Sequence, residues 1–175
     1  MLDATDQQYF QNLKHLWALF RETGEISPEV RPMIASSWMR SRDFHVDMTK
    51  PLRAPILSRP ELHSLQAANQ TLIDIAKPIM EKMHSLVGET KNLISLHNPD
   101  GYMLYSCGDE YYAEMETESS FSLGVCWQER YIGTNGITLA VLEDSPVQVY
   151  GAEHYCAAQH DGTCSAAPIH DRDGR

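Results

Sequence analysis

The amino-acid sequence predicts an α+β fold in which helices come first and an antiparallel sheet with flanking helices follows. Two observations support this order. Up to about residue 88 the apolar residues recur at helical spacing, and from residue 92 they fall in short runs bounded by turn residues. Runs of helices followed by runs of strands are typical of the α+β class.

Two helices are predicted before residue 43. The first ends at Gly24 and has four large apolar residues on one face: Leu13, Leu16, Trp17 and Phe20. The second is expected to begin at Ser27-Pro28, although Pro32 can delay its start or kink it. An irregular connection with two prolines follows, from residue 43 to residue 57.

A third, long helix is predicted to begin at "SRPE", Ser58 to Glu61, which supplies an N-cap, a first-turn proline and a capping glutamate. Its apolar stripe spans about seven turns, or roughly 37 Å, with a possible bend at Pro78 and a stop near Gly88. This length exceeds what a small sheet needs, so the N-terminal helices and this helix are expected to form a homodimer. The alternative is that the helices fold back on their own sheet. The stripe comprises Leu62, Leu65, Leu72, Ile75, Ile79, Met83 and Leu86.

The second half of the chain has the pattern of short strands. A hairpin is predicted from "NLISLH" (Asn92 to His97), the turn "NPDG" and "YMLYSC" (Tyr102 to Cys107). An acid-rich loop extends to about Ser120. A short helix, a strand at Pro146 to Gly151, a Cys/His-rich loop and a strand at Cys164 to His170 complete the order.

Charge and composition exclude several classes of function. Basic residues outnumber acidic ones six to two between residues 31 and 59, but acids outnumber bases ten to one between residues 101 and 161. The acidic portion is a poor nucleic-acid binder, so no direct nucleic-acid contact is expected. No apolar run approaches a membrane span and no signal peptide is present, which predicts a cytoplasmic protein with reduced thiols.

The Cys/His-rich loop holds four residues that could in principle bind a metal: His154, Cys156, His160 and Cys164. Their spacing matches no standard zinc motif, so no metal and no cofactor is expected. A thiol nucleophile, Cys164 or Cys126 activated by His154, is a second possibility. Small buried cysteines that pack like alanine are the commoner outcome, and no catalytic residue is assigned.

The glycine-rich segment "GTNG", Gly133 to Gly136, comes directly before an apolar helix. Glycines in such a setting let the backbone come close either to a ligand or to another strand. Backbone N–H groups at the start of the helix could meet a polar ligand, or the turn could simply cap the helix. The residues alone leave both interpretations open.

Six segments in the same order resemble one family from about Val30 onward. They are "SSWMRS", "PILSRPEL", "AANQTLIDIAKPIM", "GVCWQERYIGTNGI", "PVQVYGAEHYC" and "CSAAPIHDRDG". Together they are similar to the N-terminal GAF sensory region of sigma-54-dependent transcriptional activators of the acetoin-catabolism and glycerol-metabolism regulator type. The resemblance implies a signal-sensing domain, bound by a small-molecule effector or a signalling protein, that controls a downstream ATPase absent from this chain.

The resemblance also implies the place of the site and the division into domains. Residues 1–57 are expected to form a helical extension and residues 58–175 a GAF-like domain. The fifth, central strand of the family's sheet would begin where this sequence stops. This predicts a fragment in which the sheet is split, is completed by another chain, or has strands 1 and 4 drawn together across the gap. The implied ligand-binding residues are Trp127, Glu129, Thr134, Asn135, Glu153, His154 and Cys164.

The resemblance favours a non-enzymatic sensor, and three other functions are alternatives. One is a cysteine-based enzyme of GAF fold that reduces methionine sulfoxide. Another is a metal or redox sensor that uses the Cys/His loop. A third is a protein-docking surface without a small ligand, in which case the site should be filled by the domain's own side chains.

Overall fold

A computed structural model describes residues 4–50, 54–87, 92–108 and 121–174. The chain packs as two compact units. We call Met1–Leu52 with Gln128–Arg175 the helical unit, and Arg53–Trp127 the hairpin unit. In chain order the elements are α1 (Ala4–Thr23), α2 (Pro32–Asp43), α3 (Arg59–Ala68), α4 (Gln70–Val87), β1 (Leu93–His97), β2 (Met103–Gly108), α5 (Glu129–Ile132), α6 (Gly136–Glu143), β3 (Val147–Tyr150) and β4 (Thr163–Ala166).

The described strands form two separate two-stranded antiparallel sheets, which confirms the predicted α+β class and the split sheet. In the hairpin unit β1 pairs with β2, with Leu93 opposite Gly108 and an irregularity after Leu96. In the helical unit β3 pairs with β4, with Val147 opposite Ala166. Strand β4 ends before the predicted limit of His170, since Pro168 has no N–H group to donate to a ladder.

The core of the helical unit is built largely from α1 and α2. The four predicted apolar residues of α1 are all buried, which confirms this helix. The Trp17 indole N–H donates to the Tyr155 carbonyl at 2.9 Å, and the Phe20 ring stacks on Trp38 at 5.2 Å. Among the α1 side chains that the structure describes, the large apolar ones of the predicted face are thus used inside their own unit.

Helix α2 begins at Pro32 and not at Ser27-Pro28, so Pro32 delays the start. Ser27 instead organises a turn: its carbonyl accepts the Val30 N–H at 3.1 Å, and its hydroxyl accepts the Glu29 N–H at 3.2 Å. Proline is tolerated in the first helical turn because a backbone N–H at that position would have no acceptor within the helix.

The predicted long helix is two helices, α3 and α4, separated at Asn69. The Ser58–Glu61 capping box is confirmed, since the Ser58 N–H donates to the Glu61 carboxylate at 2.8 Å. At Asn69 the side-chain amide donates to the Leu65 carbonyl at 2.8 Å, and the backbone leaves helical geometry. Helix α4 then continues through Pro78.

The hairpin unit has a small core in which α4 covers one sheet. Ala76 and Met80 of α4 pack with Leu96 of β1, and the predicted hairpin is confirmed.

The predicted domain boundary at residue 57 stays a prediction. The two compact units divide the chain at other positions. Most of the predicted acid-rich loop, residues 109–120, lies outside the described residues. None of the helices described has the length and apolar character needed to cross a bilayer.

Candidate functional site

The glycine-rich segment forms the N-terminal cap of α6. The Asn135 side chain accepts the Thr138 N–H at 3.0 Å through Oδ1, and its Nδ2 donates to the Gly133 carbonyl at 2.8 Å. Both donor and acceptor of this buried amide are therefore used locally. The sequence interpretation of a helix-capping turn describes this geometry.

The two outer glycines are required because neighbouring segments of the same unit come close. Gly133 has φ of +77°, and a Cβ there would lie 2.8 Å from the Cβ of Tyr155. A Cβ on Gly136 would lie 2.8 Å from the Cys164 sulfur on β4. The sequence left open whether these glycines allow a close approach to a ligand or to another strand. In the structure Gly136 lies against strand β4 of its own unit.

Glu129 is a buried carboxylate held by helix α2. Its side chain is 4% exposed, and Arg40 donates to it twice, from Nε at 2.6 Å and from Nη2 at 3.0 Å. The Ser37 hydroxyl also donates to Glu129, and it lies 2.7 Å from the hydroxyl of the buried Thr134. A predicted ligand-binding carboxylate is thus already bonded by three donors from one helix.

Glu153 repeats this arrangement at the start of α2. Arg31 donates to both carboxylate oxygens, from Nε at 2.7 Å and from Nη2 at 2.5 Å. The Tyr150 N–H adds a third bond at 2.9 Å, and the residue is fully buried. Burying a carboxylate is unfavourable unless it is paired and hydrogen-bonded, and bidentate arginine meets that requirement. We refer to Arg31–Glu153 and Arg40–Glu129 as the two α2 ion pairs.

Three consecutive carbonyls after β3 each meet an aromatic ring nitrogen. The Glu153 carbonyl accepts the Trp38 indole N–H at 2.8 Å, and the Tyr155 carbonyl accepts that of Trp17. Nε2 of His160 lies 3.2 Å from the carbonyl between them, that of His154. The N-terminal helices therefore hold the segment that carries the "EH" residues through its backbone as well as its side chains.

The two imidazoles of the Cys/His loop are placed for structural contacts. Nδ1 of His154 lies 2.9 Å from the Gly151 carbonyl, and the ring of His160 packs edge-on against Trp17 at 4.7 Å. Burial lowers the pKa of His154 and the pKa of His160, which favours their neutral forms. Among the residues described, no three His, Cys, Asp or Glu side chains converge as metal ligands.

The cysteines of this loop have the environment of packing residues. Cys156 is fully buried, and Cys164 on β4 is partly buried beside Gly136. Burial raises the pKa of both thiols, so the thiolate fraction at neutral pH is small. A strong thiol nucleophile requires the opposite shift.

Trp127 belongs to the hairpin unit, unlike the other six predicted site residues. It is buried, its backbone N–H donates to the Gly101 carbonyl at 2.8 Å, and its ring packs against His97 and Phe121. Glu129, Thr134, Asn135, Glu153, His154 and Cys164 all belong to the helical unit. The hairpin unit also has an open groove of about 530 Å³, lined in part by Leu57, Leu65 and Tyr102, that contains none of the predicted residues.

Sequence reasoning missed three residues that engage the site: Arg31, the N-cap residue of α2, and Ser37 and Arg40 within this helix. A signal for them existed. Glu129 and Glu153 lie in segments rich in apolar residues and need cations if buried, and the basic excess lies between residues 31 and 59. The pairing of particular arginines with Glu129 and Glu153 depends on tertiary packing, and no local sequence pattern specifies it.

The fold and the site define an α+β domain whose candidate site is packed by its own N-terminal helix. A family model described as "MimR, N-terminal domain" matches residues 12–175, and the chain belongs to this family. The predicted resemblance to the N-terminal sensory region of operon activators is therefore confirmed.

Relatives of known role are transcriptional regulators. The chain is 32% identical over 159 residues to the acetoin dehydrogenase operon transcriptional activator AcoR of Bacillus subtilis, covering 90% of this chain and 26% of AcoR. It is 25% identical over 154 residues to the propane 2-monooxygenase operon transcriptional activator MimR of Mycolicibacterium smegmatis, covering 87% of this chain and 25% of MimR. The chain thus spans about a quarter of the length of these relatives.

A solved structure shares the fold. A chain in the crystal structure of the E. coli DhaR(N)-DhaL complex aligns with a TM-score of 0.78 at 18% identity. The alignment covers 83% of this chain and 49% of that chain. At this identity the likeness concerns the fold alone.

Proposed function

We propose that this chain is the cytoplasmic signal-receiving region of a sigma-54-dependent transcriptional activator, and that it controls an ATPase elsewhere in the full-length protein. The regulatory roles of the relatives support this proposal. On this view the chain catalyses no reaction and makes no contact with DNA itself. The raised pKa of the loop thiols supports the absence of cysteine chemistry.

One observation carries the proposal further: the polar groups of the candidate site are bonded by helix α2 of the same chain. Arg31 and Arg40 occupy the carboxylates of Glu153 and Glu129, and Ser37 adjoins Thr134. A signal that acts at this site therefore acts on the attachment of α2. Because α2 is part of the core, a change in its attachment is a change in the state of the whole helical unit.

The signal is, in our proposal, a partner protein. A small polar ligand at the predicted residues would have to displace the guanidinium groups of Arg31 and Arg40, and burial makes unpaired carboxylates costly. A site filled by its own side chains is the arrangement expected of a protein-docking domain. The structural neighbour was solved in complex with another protein, which also supports this choice. Ligand binding by the seven sequence-predicted residues stays a prediction.

We also propose that the chain forms a homodimer, through α4 of the hairpin unit. Its side chains Ile75, Ile79, Met83 and Leu86 are 50–76% exposed and lie on one side of the helix. Exposed apolar surface of this extent on a helix is typical of an interface. Helix α1 is left out of this proposal because its apolar face is buried in the helical unit.

The regulatory role is tested in the full-length activator with a reporter fused to its target promoter. Removal of residues 1–175 should make transcription independent of the inducing growth condition, because the receiving region is gone. Arg40→Met with Glu129→Gln, which loosens α2 with less burden on folding, should shift the response in the same direction. A reporter that keeps its full induction ratio after the deletion would overturn the proposal.

The kind of signal is tested by calorimetry on the purified chain with acetoin, the compound named for one relative's operon. No saturable heat is expected for the wild-type chain. Saturable binding that disappears in Glu129→Gln but persists in the exposed variant Glu22→Gln would replace the protein signal with a small molecule. The regulatory role would survive that result.

A further inference from the structure

The exposed apolar side chains of α4 are arranged symmetrically along the helix. Ile79 has apolar neighbours on the same side at four residues in each direction, Ile75 and Met83, and at seven residues in each direction, Leu72 and Leu86. Residues separated by four and seven positions lie on one face of a helix. The pattern therefore reads the same from either end of α4, with Ile79 at its centre.

This face of α4 is exposed among the residues that the structure describes. Ile75, Ile79, Met83 and Leu86 are 61%, 56%, 50% and 76% exposed, and only Leu72 is partly buried. The adjoining face of α4 is used for its own sheet, where Ala76 and Met80 are buried. The two faces lie side by side, so one helix can cover its sheet and a partner at the same time.

The exposed area is near the lower limit of what a specific pair requires. Ile75, Ile79, Met83 and Leu86 together expose roughly 450 Å² per copy, or about 900 Å² for two copies, close to the ~1,000 Å² threshold of a biological interface. A second copy of the chain fits this face best, because a two-fold interface needs a patch that complements itself.

The direction of pairing follows from the charge at the border of the stripe. Lys82 is three residues from Ile79 and is exposed. In a parallel pair the two Lys82 ammonium groups face each other, and like charges placed together destabilise. In an antiparallel pair centred on Ile79 they lie about 9 Å apart along the axis, at 1.5 Å per residue.

We infer that two copies pair through antiparallel α4 helices on a two-fold axis at Ile79. The pairing sets Ile79 against Ile79, Ile75 against Met83, and Leu72 against Leu86. It rests on the homodimer proposed above and specifies the face, the direction and the register. No ligand or ion is required for it.

The test is disulfide trapping in the 175-residue chain, with sedimentation velocity on the same samples. Three single variants at exposed positions are made: Ile75→Cys, Ile79→Cys and Met83→Cys. The wild-type chain, with its four native cysteines, is the background control. Disulfides need Cα atoms within about 7 Å. Ile79→Cys should therefore crosslink to itself, and Met83→Cys alone should not, because its two copies lie about 12 Å apart along the axis. An equimolar mixture of Ile75→Cys and Met83→Cys should give the mixed disulfide, identified by mass.

The other outcomes each decide something. Efficient self-crosslinking of Met83→Cys indicates a parallel pair and overturns the inference while the dimer stands. A dimer in sedimentation without any of these crosslinks places the interface elsewhere and also overturns it. A wild-type monomer at high micromolar concentration overturns both the inference and the homodimer, and leaves the regulatory role untouched.

Discussion

The two units use their amphipathic helices in opposite ways. In the helical unit α1 and α2 bury their apolar faces, and Phe20, Ile34 and Trp38 are at most 3% exposed. In the hairpin unit α4 buries one narrow face and leaves a second apolar face in solvent. The same type of sequence pattern therefore builds a core in one unit and a free surface in the other.

The polar residues follow the same division. The helical unit encloses two carboxylates and pairs them with two arginines, one in helix α2 and one at its N-cap. Under the proposed function, a signal received by this unit would change how α2 is attached. The hairpin unit, with a small core and an exposed helix face, is suited to assembly. Our two proposals thus place signal reception and assembly in different parts of the chain.

The largest expected effect separates a core helix from the exposed face of α4. Trp38→Ala should lower the free energy of unfolding by about 4 kcal/mol, because it leaves a cavity in a buried site and removes the bond to the Glu153 carbonyl. Leu86→Ala should change the free energy of unfolding of the monomer by less than about 0.5 kcal/mol. Denaturant unfolding at low protein concentration checks both. Equal losses in the two variants would contradict the contrast between the units.

A second comparison tests the α2 ion pairs. Arg40→Ala should lower the free energy of unfolding by about 3 kcal/mol, since Glu129 remains buried without its cation. The exposed pair Arg21–Glu22 is the matched control, and Arg21→Ala should cost less than about 1 kcal/mol. A loss in Arg40→Ala no greater than in Arg21→Ala would mean that the Glu129 pair does not hold α2.

The double variant Arg40→Met with Glu129→Met distinguishes the attraction between the two side chains from the cost of burying an unpaired carboxylate. Removing both partners of a buried pair is often nearly neutral, whereas removing one is strongly destabilising. The double variant is therefore expected to be more stable than Arg40→Ala. Thermal unfolding followed by circular dichroism is sufficient to rank the three proteins.

The third prediction concerns the close approach of the glycine-rich segment. Gly133→Ala should lower the free energy of unfolding by about 3 kcal/mol, because its positive φ strains alanine and the new methyl group meets Tyr155. Gly24→Ala has a similar φ of +74°, but its Cβ would make only an ordinary contact, with Arg42 Nη1 at 3.9 Å, and the change should cost about 1 kcal/mol. Similar losses in the two variants would show that the segment is not tightly packed.

The smallest expected effect is a pH dependence in the hairpin unit. Burial lowers the pKa of His97 to about 4, from about 6.5 when unfolded. Between these values the unfolded chain binds the proton more readily, so stability is complete above pH 6.5 and falls as the pH drops towards 4. His97→Gln removes this linkage. From pH 7 to pH 4 the wild type should lose on the order of 2 kcal/mol more than the variant, as measured by urea unfolding. Parallel pH profiles would contradict the burial of His97.

The elements defined by local patterns were predictable from the sequence. Apolar residues at helical spacing identified α1, the capping box identified the start of α3, and alternation with a turn identified the β1–β2 hairpin. Asn135 was also recognisable as a cap. Each of these features depends on residues within a few positions of one another, and local physics determines them.

Features that depend on distant packing were not predictable. The α3–α4 break at Asn69 interrupts a strong helical pattern and was not predicted, although the side-chain bond that accompanies it, to Leu65, is local. The pairing of Arg31 with Glu153 joins residues 122 positions apart, which no local pattern specifies. The binding role of the predicted site residues therefore stays a prediction, and the side chains that bond Glu129 and Glu153 became known only from the structure.

Hydrogen exchange at two protein concentrations tests the central claim most directly. The account predicts that amides of residues 32–43 are protected to the same degree at low and high micromolar concentration, and that Arg40→Ala reduces this protection. It predicts that protection of residues 72–87 rises with concentration and is insensitive to Arg40→Ala. If α2 exchanges as fast as an exposed loop, or if its protection and not that of α4 follows concentration, the assignment of signal reception to α2 and assembly to α4 is contradicted.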